Sequence, residues 1–150
     1  MHKDHYENLF YVLHGEKVFT ICPPADAAFL YEREFKMGVF EPHEHWIVRL
    51  AEDDVVRWIE PDVEVLLQGG EPKASLLREF PLLKHAHPYQ VRVRAGEMLY
   101  LPSLWFHRVT QTCETVGVNY WFDMKFDSPN WCYFHLLQQL QLEKVQDGNE

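Results

Sequence analysis

Apolar and polar positions alternate in short bursts near both ends of the chain. Leu9-Phe10-Tyr11-Val12-Leu13 and Lys17-Val18-Phe19-Thr20-Ile21 are rich in aromatic and β-branched residues and flank His14-Gly15, so residues 9–22 read as a β-hairpin. Pro23-Pro24 closes the second strand, because proline has no N–H to give a ladder. A second such unit spans 91–101: Val91 and Val93 alternate with Arg92 and Arg94, Ala95-Gly96-Glu97 turns the chain, and Met98-Leu99-Tyr100-Leu101 runs on to Pro102. Val116 to Phe122 is a third apolar run. Short strands punctuated by glycine and proline are an all-β signature. Between them, Pro42, Pro61, Pro81 and Pro88 break any long element and Gly69-Gly70-Glu71-Pro72 reads as a loop, so 25–90 is expected to be an irregular insertion with short strands and one helical turn. After Pro129 the period changes. Trp131, Phe134, Leu137, Leu140 and Val145 fall near helical spacing, which predicts an amphipathic helix over 128–146 and a frayed tail at 147–150.

Composition bounds the class. At 150 residues the chain suits one domain and buries roughly 70% of its unfolded surface. Fourteen basic against 23 acidic side chains give a net charge of −9, and no basic stripe offsets it, which argues against nucleic acid as a direct partner. No apolar run approaches the ~20 residues of a membrane span, and Met1-His2-Lys3-Asp4 begins no signal peptide. Cys22, Cys113 and Cys132 are odd in number and widely spaced, as free thiols of a reducing compartment are; a cytoplasmic or nuclear location is expected.

Several polar groups bear on chemistry. In His2-Lys3-Asp4 the outer residues point to one face of an extended segment, so an imidazole and a carboxylate can share a metal ion. His107 follows a strand and a proline turn and is embedded among aromatics. Two histidines and one carboxylate on one face of an octahedron leave three positions open, the facial triad of non-haem Fe(II) chemistry. Taken alone, His-x-Asp also fits a solvated loop, and His107 a satisfied core histidine. His43-Glu44-His45 and His85-Ala86-His87 are rival pairs that fit solvated loops of the insertion better. Cys132 and His135, three apart on the C-terminal helix, suit a buried thiol better than a nucleophilic dyad, and no phosphate-binding glycine loop is present. Glu52-Asp53-Asp54 with Glu60 and Asp62 would attract a basic peptide, or serve as a solubilising face.

The segment Gly96 to His107, with its glycine turn, strand, proline and aromatic-flanked histidine, closely resembles the second metal-binding strand of cupin and jumonji-C (JmjC) domains. His2-x-Asp4, Asn8, Gly15-Glu16-Lys17-Val18-Phe19 and Pro23-Pro24 resemble the first. The overall pattern is most similar to the small JmjC hydroxylases of the bifunctional peptidase and lysyl hydroxylase type, over 2–24 and 88–135 and more loosely between. This resemblance implies a mainly β, double-stranded β-helix (a jelly-roll) over 1–127 with a C-terminal amphipathic helix. It implies Fe(II) as the metal and 2-oxoglutarate as co-substrate, with O2 consumed, succinate and CO2 released, and a protein side chain (a lysyl residue foremost) hydroxylated.

Residue by residue, the resemblance makes His2, Asp4 and His107 the iron ligands. Lys17 becomes the partner of the distal 2-oxoglutarate carboxylate, a buried cation in an apolar strand. Asn8, Asn119 and Trp121 line the co-substrate pocket, the last two sharing one strand face. Tyr11, Tyr100 and Tyr120 are candidate hydroxyl donors. The family places a core strand ahead of His-x-Asp, so the barrel is expected to be incomplete at its N-terminus. An impaired binding module is the second expectation and a cupin with a small-molecule substrate the third. The stripe Trp131, Phe134, Leu137 suits a homodimer or a barrel cover.

Overall fold

The computed structural model describes residues 1–42 and 46–147. Strand β1 (Tyr6–His14) lies between β6 (Met98–Leu101) and β8 (Val116–Asp123), and β2 (Glu16–Cys22) lies between β5 (Tyr89–Arg94) and β7 (Phe106–Gln111), every pair antiparallel. The two three-stranded sheets face each other, with Phe10 of β1 meeting Phe19 of β2 edge-on at 5.2 Å. Phe10, Val12, Phe19 and Val93 are buried between them, with Ile21, Val91 and Leu99 packed alongside. This is the mainly β, jelly-roll arrangement.

Residues 9–22 are therefore not a hairpin, and neither are 91–101. In each case the chain turns a corner and leaves one sheet for the other. The two corners bind each other: Ala95 N donates to the Gly15 carbonyl (3.1 Å), Gly96 N to that of Val12 (2.8 Å), and Val12 N to that of Glu97 (3.1 Å). Gly15 is required at its corner, since its φ is +79° and a Cβ there would come within 2.3 Å of the Glu114 carbonyl oxygen. Two apolar runs around a glycine look alike whether they pair with each other or with distant strands. Only long-range pairing separates the two cases.

The insertion is more regular than its prolines suggest. Strands β3 (Glu32–Glu41) and β4 (Ile47–Ile59) form a long two-stranded ribbon. Gly69-Gly70-Glu71-Pro72 is not a loop throughout: α2 (Gly70–Glu79) follows the short α1 (Val65–Gln68) and starts at Gly70, and proline is tolerated in a first turn, where its missing N–H has no helical partner to lose. Short 3-10 helices at Pro24–Phe29 and Pro81–His85 complete the stretch. Helix α3 (Pro129–Asp147) packs Phe134, 1% exposed, into a second core with Cys22, Leu30, Leu83, Leu104 and Phe106. That core lies on the outer face of the β2 sheet. It is what the insertion and α3 bury, and it backs the strand start that carries His107. Among the described residues, β7 and β8 each have one unpaired edge.

Candidate metal centre

Met1 to His5 is held by main-chain bonds to three other segments. Ile59 N donates to the Met1 carbonyl (2.9 Å), His2 and His107 exchange bonds of 3.1 and 2.7 Å, Leu104 N donates to the Asp4 carbonyl (2.8 Å), and Met124 N to that of His5 (3.2 Å). The His2–His107 bridge puts both imidazoles on one side, their ring centroids 4.4 Å apart. Asp4 Oδ2 lies 3.8 Å from His2 Nε2 and 3.6 Å from His107 Nε2, and one ligand atom from each residue falls within 4.8 Å of the others. Among the described residues no other group of three metal-ligating side chains comes together in this way.

Second contacts orient the two imidazoles. His107 Nδ1 lies 3.0 Å from the Trp105 carbonyl oxygen, so the ring proton belongs on Nδ1 and the Nε2 lone pair faces Asp4. The turn supplying that carbonyl contains Leu104 at φ +66°, a left-handed conformation that costs a branched residue on the order of 1–3 kcal/mol and is tolerated here by complete burial of its side chain. His2 stacks on Trp58 of β4 at 4.8 Å. Burial lowers the His2 pKa below its ordinary 6.5, the neighbouring His107 lowers it further, and Asp4 opposes both. The ring is thus neutral at pH 7, as a metal ligand must be.

The residues expected to line the co-substrate pocket lie on the inner faces of the two opposed sheets. On β1, Asn8 shares a face with Phe10 and Val12, and it is registered opposite Trp121, while Phe10 is opposite Asn119. Asn119 and Trp121 are exposed because β8 is an edge strand; Trp121 is 59% exposed and stacks on Tyr6 at 5.7 Å. The Asn8 Oδ1 is buried and meets no donor among the described residues. Lys17 faces the same side as Phe19 and Ile21, and Ile21 is registered with His107, about 13 Å along the strand. The lysine is half-buried, and Nζ donates to Gln111 Oε1 at 2.5 Å, so it is not the lone buried cation expected.

Other expectations change. Tyr11, Tyr100 and Tyr120 alternate onto the outer face, and Tyr100 donates its hydroxyl to Glu7 (2.6 Å), so none reaches the inner surface. His87 is tied through Nδ1 (3.0 Å) and its backbone N–H (2.6 Å) to Asp26, and His85 packs on Phe29. His43 and His45 lie outside the described residues. Cys132 and His135 are both exposed, with His135 edge-on to Trp131. Glu60 and Asp62 are paired with Arg33 and Arg108, which dilutes any acidic attraction. Trp58 and the Trp105 carbonyl escaped the sequence reading. The first lies far away in the insertion, and a carbonyl carries no residue signature.

A family model described as the cupin-like domain matches residues 1–128. The chain belongs to the cupin-like domain family. It is similar to JmjC domain-containing protein E of Dictyostelium discoideum, 37% identical across all of this chain and 46% of that protein. Lysine-specific demethylase JMJ32 of Arabidopsis thaliana is 40% identical over 93% of this chain and 42% of its own length. The human bifunctional peptidase and (3S)-lysyl hydroxylase JMJD7 is 38% identical over the same shares. The chain thus spans less than half the length of these curated relatives.

Proposed function

We propose that this cupin-like domain is a JmjC-type oxygenase domain dependent on Fe(II) and 2-oxoglutarate, and that it hydroxylates a protein side chain, a lysyl residue foremost. The convergence of His2 Nε2, Asp4 Oδ2 and His107 Nε2 within 4.8 Å carries the reading. Two imidazole nitrogens and one carboxylate suit a divalent iron and would leave further ligand positions to solvent and co-substrate. Fe(II) bound there would supply the activation of O2 that converts 2-oxoglutarate to succinate and CO2 while one oxygen atom enters a C–H bond.

The protein's own residues do the rest. The Trp105 carbonyl holds the His107 ring so that Nε2 keeps its lone pair for the metal. Asn8 and Lys17 offer a dicarboxylate an amide and an ammonium from the inner faces of the two opposed sheets. The orphan end of Asn8 fits that use, since a half-turn of the amide presents Nδ2 as a donor to a carboxylate. A groove of about 430 Å³ runs beside the centre and is lined by His2, Arg57, Trp58, Trp131 and His135. It gives an extended peptide a route past Trp58 to the metal face. The protein-substrate reading is also supported by relatives named as a lysyl hydroxylase and a lysine-specific demethylase.

The exposure of Asn119 and Trp121 on the edge strand β8 favours one rival, a cupin-like module that binds a partner without turnover. Anaerobic titration with Fe(II) and 2-oxoglutarate separates the two. Bidentate co-substrate on the triad gives a weak visible charge-transfer band, lost in His107→Ala. No band in the parent chain, or one that survives that substitution, refutes the oxygenase reading.

A further inference from the structure

We propose that Lys3 is a positioning residue for the metal centre, locking the Met1–His5 segment so that His2 and Asp4 face His107. The inference rests on the metal-centre reading above. Successive residues of an extended segment face opposite sides, so two ligands on one side send the residue between them to the other. On that other side Lys3 enters the second core rather than solvent. Its side chain is 10% exposed and that of Glu32 is 7% exposed, and Nζ donates to Glu32 Oε1. The same nitrogen lies 5.3 Å from the ring centroid of Phe106 and 5.4 Å from that of Phe134. The second Glu32 oxygen accepts from Gln138 Nε2 (3.3 Å) and faces Arg57 Nη1 at 3.9 Å. Strands β3 and β7 and helix α3 thus converge on one ammonium, and β4 joins the cluster only through Arg57 beside Glu32.

The physical consequence is a choice of register. Main-chain bonds are the same for any residue, so those from Ile59, His107, Leu104 and Met124 do not by themselves select which side chains face the centre. A slip of one residue exchanges the two faces of an extended segment. Here it would strip Glu32 of its ammonium in a buried site and bring a cation against the ligand atoms. Removing one partner of a buried ion pair is far more costly than replacing both. The slipped arrangement is therefore penalised on both faces at once. Lys3 touches no ligand atom; it acts through the orientation of its two neighbours.

The test compares the parent with Lys3→Met, Lys3→Met/Glu32→Gln, Glu32→Gln and His107→Ala. Mn(II) uptake is followed by electron paramagnetic resonance of the free ion, and melting is followed in EDTA. Lys3→Met melts earlier than the parent, and the double variant, with both charges gone, recovers most of that loss. Mn(II) affinity nevertheless falls about 10- to 100-fold in both, the range expected when a support of a ligand is removed. Glu32→Gln, which keeps the volume and leaves Lys3 a neutral acceptor but no counter-charge, also melts earlier than the double variant and shifts affinity the same way. Parental Mn(II) affinity in the folded double variant or in Glu32→Gln overturns the positioning role and makes the pair a packing feature alone. A parent chain that takes up no Mn(II), or takes up as much as His107→Ala, overturns the metal-centre reading and this inference with it.

Discussion

Replacing Asn8 with leucine should stabilise the ligand-free protein and weaken its response to co-substrate. Leucine is close to asparagine in shape and carries no polar atom. The Asn8 Oδ1 is buried with no donor among the described residues, and an unsatisfied buried group costs about 1–3 kcal/mol. Asn8→Leu removes that cost at a position facing Leu101 and Trp121, neighbours able to pack against a methyl group. For a domain of this size 1 kcal/mol shifts Tm by about 2–4 °C, so a rise of roughly 2–12 °C is expected. With Mn(II) present, 2-oxoglutarate at 100 times its Kd stabilises the parent by about 2.7 kcal/mol. Losing the amide weakens binding about tenfold, which cuts the gain at the same concentration to about 1.4 kcal/mol. Urea unfolding with and without the co-substrate measures both quantities. A less stable metal-free variant would show that Oδ1 is satisfied in solution. An undiminished 2-oxoglutarate response would remove Asn8 from the co-substrate site.

Three further outcomes follow from the packing. Phe19 is 2% exposed between the sheets, so Phe19→Ala should cost about 3–5 kcal/mol in urea unfolding, and a loss below 1 kcal/mol would contradict the facing-sheet core. Burial, with the charge of Asp26 adding to it, pushes the Cys22 thiol up to about 12. Iodoacetamide at pH 8 should therefore label Cys113 and Cys132 in the native protein and spare Cys22; equal labelling of all three, read by peptide mass spectrometry, would count against that burial. Desolvation raises the Glu7 carboxyl, but bonds from the Tyr100 hydroxyl and from the Ser103 hydroxyl and N–H outweigh it and hold the pKa below 4.5. Because the unfolded chain then binds the proton more readily, this contribution is present above pH 4.5 and is lost as pH falls through the folded value. Glu7→Gln should cost about 1 kcal/mol at pH 7 and flatten the acid-side decline; an unchanged slope would place the acid sensitivity elsewhere.

Much of the fold was legible because it is written in short apolar runs, rich in aromatic and β-branched residues and bounded by glycine and proline. Residues 9–13, 17–21, 91–94, 98–101 and 116–122 all lie in strands, and the helix after Pro129 forms. Their pairing was not legible. A glycine between two apolar runs is compatible with a hairpin and with a corner, and the free energy that decides comes from strands distant in the sequence, as in Ile21 with Tyr89 and Tyr6 with Asp123. Tyr100 and Lys17 show the same limit for the site. Facing follows from register, and register is set across strands, so the tyrosine turns outward to Glu7 and the lysine meets Gln111.

By itself the sequence determined which side chains are available as ligands: a His-x-Asp pair in one segment and a histidine after a proline turn in another. Tertiary structure alone decided that these three side chains meet within 4.8 Å, and on which face. The reason is that the forces orienting them act at long range. The Trp105 carbonyl on His107, Trp58 against His2, and Glu32 on Lys3 belong to segments whose own patterns report burial but not what they are buried against.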